Sequence, residues 1–244
     1  MQVAIVTVGD ELLAGDTENT NATWLARQVG ERGATVARMV TLPDERAVIA
    51  RWVREFADAF DAVLVTGGLG DTHDDVTLEA VADALDREMA VQDAVREAVA
   101  EKARRYREDD PERYERHDFD LDLAETAALP EGARPLQTEA SFNPGCVVEN
   151  VYVFPGFPEE LRAMFEVVAG EFGGDAVSVA VETATPEGAL KDVLAGVRER
   201  FDVAVGSYPA RQGKPGRVKL TGTDPDEVDR AAAWVAERVA DPGT

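Results

Sequence analysis

The stretch AVLVTGGLGDTHDDVT, Ala62 to Thr77, decides the fold. It begins with a short apolar run closed by a threonine, as in a strand buried on both faces of a parallel sheet. Three glycines follow at once, Gly67, Gly68 and Gly70, and then three aspartates, Asp71, Asp74 and Asp75. Glycine lets main-chain N–H groups approach a ligand, because no Cβ intervenes and positive φ is open to it. Carboxylates repel phosphate but hold hard cations. A strand that ends in both points to a phosphate bridged by a metal. Aspartate and threonine are also ordinary helix caps, so a tight turn before a solvated helix is the competing reading.

Working upstream, Gln2 to Val8 is a second buried apolar run and Thr35 to Leu42 a further strand. Asn21 is placed to cap a helix from Ala22 to Arg32, with Trp24, Leu25 and Val29 on one face and Gly33 at its end. Pro43-Asp44 reads as the opening of another helix, whose stripe is Val48, Ile49, Trp52, Val53, Phe56 and Phe60. Helical spacing resumes at Val76 through Leu78, Val81, Ala82 and Leu85. The order β-α-β-α-β-loop-α predicts an α/β fold, a three-layer arrangement with mostly parallel strands and helices on both faces. In such sheets ligands bind beyond the carboxyl ends of the strands. Two loops fall there, VGDELLAG after the first strand and GGLGDTHDD after the third. Gly9-Asp10-Glu11 thus adds acidic residues at the same edge, although an Asp-Glu pair also complements a helix dipole. Neither loop has the dinucleotide-binding glycine spacing or a P-loop lysine.

Downstream, residues 92–122 form a charged, helical excursion that reads as solvated surface. LPEGARPL and CVVENVYVF read as strands. PGFPEE, Pro155 to Glu160, either breaks a strand into a helix starting at Pro158 or presents that helix N-terminus to phosphate. Gly170 to Asp175 looks like a linker. Beyond it come a strand (Val177 to Glu182), a helix (Glu187 to Arg200), two strands around RQGKPG and a helix (Asp226 to Val239). The expected division is a ligand-binding domain over 1–172 and a small α+β domain over 175–242. The small unit has no carboxylate-glycine constellation like that of Thr66 to Thr77.

Composition narrows the partners. The 244 residues hold 48 acidic against 25 basic side chains, a net charge of −23, and only Lys102, Lys191, Lys214 and Lys219 are lysines. The acidic residues are scattered, which suits a salt-rich cytoplasm where ions screen self-repulsion. No basic stripe exists to meet nucleic acid. No apolar run approaches the ~20 residues that span a bilayer, and MQVAIVTVGDE lacks a basic n-region, so a cytoplasmic, membrane-free protein is expected. The lone Cys146 excludes an internal disulfide and reads as a small core residue. His73 has no second histidine nearby and reads as a hydrogen-bonding group.

These residues carry a family resemblance. TVGDELLAG, TENTNATWLARQVGERG, TGGLGDTHDDVT, VFPGFPEELRAMF and VGSYPARQG, in that order, resemble the CinA (competence/damage-inducible) family, its molybdopterin-binding-like domain and the small domain that follows. The C-terminal deamidase domain that many members carry has no counterpart here, so its activity is not transferred. The resemblance implies metal-dependent hydrolysis of an ADP-ribose-like or FAD-like nucleotide pyrophosphate. The alternatives are a molybdopterin adenylyltransferase and a non-catalytic pterin- or nucleotide-binding protein of molybdenum cofactor synthesis. It implies Asp75, Asp44 and Asp10 as metal ligands and Asp75, Asp44 and Glu11 as the catalytic set, with Glu11 as the base. Gly9, Asp10, Thr66, Gly67, Gly68, Gly70, Thr72, Asp74, Thr77, Gly145, Gly156, Pro158 and Glu159 would contact the phosphates or the rest of the ligand. The implied cofactor is Mg²⁺, Mn²⁺ or Co²⁺, with K⁺ as an additional ion, and the implied assembly a homodimer or a trimer. Asp71 stands where relatives usually have Pro. ETAALP and ASFNPG depart from the family's more basic and Gly-Thr-Ala-Pro-Gly segments, which touches substrate identity more than fold.

Overall fold

The computed structural model describes residues 1–70, 75–109, 122–211 and 214–241. The chain forms two compact units, Met1–Gly173 and Gly174–Thr244.

The first unit is built on a six-stranded sheet in the order β2-β1-β3-β8-β7-β6. Its strands are β1 (Gln2–Val8), β2 (Thr35–Leu42), β3 (Ala62–Thr66), β6 (Arg134–Leu136), β7 (Gly145–Val148) and β8 (Val151–Phe154). The first three and β8 run parallel, whereas β6 and β7 are antiparallel additions at one edge. Both faces of the central strands are covered, which is why β1 and β3 read as unbroken apolar runs rather than alternating ones. One face carries α3 (Arg46–Ala59), α4 (Thr77–Ala84) and α5 (Asp93–Asp109), whose Ile49, Val53, Phe56, Val81, Val95 and Val99 pack on Val6, Val63 and Val65. The other carries α2 (Thr20–Glu31) and α7 (Pro158–Val168), with Leu25, Val29, Leu161, Met164 and Phe165 on Val3, Ile5 and Leu64. A two-stranded sheet of β4 (Met89–Val91) and β5 (Ala128–Pro130), the one-turn helix α1 (Asp10–Ala14) and the short α6 (Leu123–Thr126) complete the unit. The register aligns Thr7 of β1 with Thr66 of β3, so both chains leave the sheet side by side.

The second unit pairs β9 (Val177–Thr183), β10 (Ala204–Tyr208) and β11 (Gly216–Gly222) antiparallel, in the order β10-β11-β9. Val218 and Leu220 of β11 point inward at alternate positions. They share a core with Val197 of α8 (Lys191–Arg200) and Val228, Ala231 and Val235 of α9 (Pro225–Ala236).

Three local expectations change. Asn19, not Asn21, caps α2, its side chain accepting the Ala22 N–H at 3.1 Å. Pro43-Asp44 does not open α3, which starts at Arg46 after Glu45 and leaves Asp44 in a loop. The helix expected over Glu187 to Arg200 divides into a 3₁₀ turn, Glu187–Ala189, and α8.

Candidate active site

Where β1, β3 and β8 end, three segments meet: Val8-Gly9 into α1, Thr66-Gly67-Gly68, and the Pro155-Gly156 turn before α7. Two hydrogen bonds and one close approach fix them. The buried Thr66 hydroxyl donates to the Pro155 carbonyl at 2.8 Å. The Gly67 N–H donates to Phe154 O at 3.2 Å. Gly67 has φ +104, and a Cβ there would run into the Val8 carbonyl oxygen. Gly67 is therefore demanded by packing between strand ends, and its N–H is already used. The Gly9 N–H is likewise used, donating to Leu42 O at 3.1 Å. The sequence assigned both to phosphate. The N–H groups of Gly68, Leu69 and Gly70 have no acceptor among the described residues.

Carboxylates surround this edge. The Asp44 side chain accepts the Asp10 N–H at 2.8 Å, and its Oδ1 lies 3.6 Å from where a Cβ on Gly68 would stand. Leaving α3 to begin later thus frees Asp44 to bridge two loops. The Asp75 carboxylate lies against Gly70, filling the space of its missing Cβ. Glu11 folds back over Gly9 in the same manner, its oxygens 2.5 and 2.6 Å from the ideal Cβ position. Each of Gly9, Gly68 and Gly70 makes room for a neighbouring oxygen atom. A cavity of about 240 Å³ is lined by Glu11, Glu18, Asp44 and Asp75 with Gly68, Gly156 and Pro158, and by no Lys or Arg among the described residues. It opens toward cavities of about 580 and 110 Å³ that also take Gly68 and Asp75 as walls.

Several sequence-assigned residues lie elsewhere. Asp10 is exposed and contributes its backbone N–H, not its carboxylate, so it does not join Asp44 and Asp75. Glu159 is exposed and absent from the cavity walls, where its neighbour Glu160 stands instead. Gly145 lies within β7, and a Cβ there would meet Val153 O of β8 and Met164 Sδ, so it serves sheet packing. Thr77 is fully buried behind Gly68, and its hydroxyl has no hydrogen-bond partner among the described residues. Asp71, Thr72, His73 and Asp74 lie outside the described residues. Cys146 is buried, and burial pushes its thiol up to about 12, which leaves it a core residue and no nucleophile.

Residues that the sequence did not single out also shape the cavity. Asn19 Nδ2 donates to the Thr7 hydroxyl at 2.8 Å, and Thr7 and Thr41 hydroxyls pair at 3.0 Å. Asn21 Nδ2 donates to Gly156 O at 2.6 Å, tying α2 to the Pro-Gly turn. Asn143 Nδ2 donates to Leu69 O at 2.7 Å, bracing the glycine loop from a third segment. Their signal in the sequence was weak: Asn21 read only as a helix cap, and Asn143 lay within ASFNPG.

Two carboxylates with only oxygen donors suit a hard divalent cation. Among the described residues, no three His, Cys, Asp or Glu side chains converge as a metal cage. Asp44 and Asp75 are the residues that could hold such a cation, together with ligand phosphates and water.

This is an α/β protein with an acidic, glycine-edged ligand cavity at the ends of its parallel strands. Residues 4–172 match the family described as a probable molybdopterin binding domain, and residues 175–242 match the FAD synthase middle domain. The chain belongs to the molybdopterin-binding domain family, in the two-domain arrangement of the CinA-like proteins. It is similar over its whole length to a protein of Archaeoglobus fulgidus, 34% identical with 99% of each chain covered. A protein of Pyrococcus abyssi is 33% identical, with 98% of this chain and 97% of that one covered. A competence-damage inducible protein by name, from Desulforudis audaxviator, is 30% identical over 98% of this chain, which spans 59% of its length. Among solved structures, the protein CinA of Thermoplasma acidophilum, described as of unknown function, superposes with a TM-score of 0.61. That likeness, at 24% identity over 71% of this chain and 99% of the other, concerns the fold. Among the described residues, no helix is long and apolar enough to cross a membrane.

Proposed function

We propose that the first unit hydrolyses a nucleotide pyrophosphate of the ADP-ribose or FAD kind with the help of a divalent cation. One observation carries the reading. N–H groups suited to phosphate, at Gly68, Leu69 and Gly70, have no acceptor among the described residues and stand beside a cavity wall of four carboxylates without a described basic residue. An anion entering that cavity would be repelled unless a cation came with it. Asp44 and Asp75 would hold this cation, which neutralises charge on the diphosphate and lowers the pKa of water. The Asp10 N–H keeps Asp44 oriented. The N–H groups of the glycine loop fix the phosphates, and their dipoles meet the charge that grows on the oxygens in the transition state. Glu11, on the same wall, takes the proton from the attacking water. The water oxygen bonds to one phosphorus as the bridging P–O bond breaks, leaving two monophosphates. The matching of residues 175–242 to a FAD synthase domain supports a dinucleotide of the FAD class.

The matched description of residues 4–172 favours a second reading, adenylyl transfer to molybdopterin at the same cavity. The full chain, incubated with ADP-ribose or FAD and Mg²⁺, Mn²⁺ or Co²⁺, should release AMP, and EDTA should abolish the release. An adenylylated pterin formed from molybdopterin and ATP, without hydrolysis of either dinucleotide, would favour the second reading.

A further inference from the structure

The cavity of about 580 Å³ shares Glu11, Gly68 and Asp75 with the acidic site, but it adds two aromatic residues from separate segments, Phe142 and Phe157. Phe157 is 74% exposed, the most exposed of the large hydrophobic residues in the first unit, and its ring makes no ring–ring contact among the described residues. Leaving an aromatic ring in water forgoes the burial that normally holds it inside. Its backbone is nevertheless fixed. The preceding carbonyl, of Gly156, accepts from Asn21 at 2.6 Å, and the Phe157 carbonyl accepts from the Leu161 N–H at 3.0 Å.

Phe142 is held in a comparable way. Ser141 Oγ lies 2.8 Å from Glu160 Oε2, and Asn143 Nδ2 donates to Leu69 O at 2.7 Å. The Phe142 ring meets Tyr106 edge-on at 5.7 Å, and the Lys102 ammonium, bonded to the Thr138 and Ser141 carbonyls, stands 5.8 Å from its centre. Two rings on anchored backbones thus border a cavity continuous with the phosphate-facing wall. A fixed backbone leaves only the side-chain rotamer to be ordered when a flat partner binds.

We infer that Phe157 and Phe142 form an aromatic rim that stacks on the planar heterocycle of a ligand whose phosphates reach Asp75. This inference rests on the nucleotide reading above and names the part of the site that selects the base. The ring is a purine or an isoalloxazine, and both present the π-face that stacking requires. The test is equilibrium binding by the full chain with Mg²⁺, using inorganic pyrophosphate, ADP and FMN as probes. Phe157→Ala should weaken ADP or FMN about tenfold, within the range of base–aromatic stacking, and leave pyrophosphate binding unchanged. Phe157→Trp should restore the affinity. The probe that loses affinity identifies the ring. Unchanged ADP and FMN affinities in Phe157→Ala would overturn the rim, as would a change confined to the oligomeric state. If the unaltered chain binds no probe at all, the nucleotide reading itself fails and the rim falls with it.

Discussion

Replacing Gly67 with alanine should cost much more than replacing Gly15, although both glycines have positive φ, +104 and +79. An L-residue in a left-handed conformation is penalised by roughly 1–2 kcal/mol at either position. At Gly15 nothing lies within 4 Å of the added Cβ, so the penalty ends there. At Gly67 the Cβ runs into the Val8 carbonyl oxygen. Val8 is paired with Leu42 of β2, and Gly67 itself bonds to Phe154 of β8, so neither strand end can move without breaking a ladder. Overpacking of this kind adds about 1–3 kcal/mol, for a total of about 2–5 kcal/mol. In a unit of this size each kcal/mol shifts the midpoint by about 2–4 °C. Gly67→Ala should therefore lower the first unit's melting temperature by roughly 4–20 °C, and Gly15→Ala by no more than about 8 °C. Scanning calorimetry of the full chain measures both. Equal losses in the two variants would refute the steric account of Gly67 and return the residue to the ligand-binding role that its sequence context suggests.

Thr77→Val should stabilise the first unit by about 1–3 kcal/mol, because it removes a buried hydroxyl without a partner among the described residues; a destabilised variant in urea titration would show that the hydroxyl is satisfied. Cys146, whose thiol burial raises to about 12, should resist a thiol reagent at pH 8 in the folded protein and react fully in denaturant. Rapid labelling of the native chain would contradict that placement. Stability should rise from low to 1 M KCl, as the Debye length falls to ~3 Å and the repulsion within a chain of charge −23 is screened. A melting temperature unchanged or lower in salt would count against screening.

The layered fold was legible because its signal is local. Residues 3–6 and 62–65 are unbroken apolar runs, as strands covered on both faces require, and the helices between them carry one apolar stripe each. The carboxylates were legible as a group, since Glu11, Asp44 and Asp75 do line one cavity. What each polar residue does was not, because long-range partners decide it. The run Glu18-Asn19-Thr20-Asn21 offers several caps. Asn19 caps and is held by Thr7, 12 residues away, while Asn21 is drawn to Gly156, 135 residues away. Asp44 looked like the start of a helix because it follows a proline, yet its bond to the Asp10 N–H keeps it at the cavity. The glycines were assigned to the ligand from the family resemblance and, in the loop after β3, from glycine's open backbone. Gly67 and Gly145 instead answer to carbonyl oxygens of neighbouring strands, Val8 and Val153, which no local pattern reveals.

The proposed role of Asp75, holding a cation at the end of β3, is tested by the turnover of ADP-ribose by the full chain and by Asp75→Asn, titrated with Mg²⁺. An amide is a poor ligand for a hard cation, and losing one contact to the transition-state charge costs at least ~100-fold in rate. AMP release by the unaltered chain should saturate with Mg²⁺ and fall at least ~100-fold in Asp75→Asn, with the melting temperature preserved. Equal turnover by the two proteins at limiting Mg²⁺ would contradict that role.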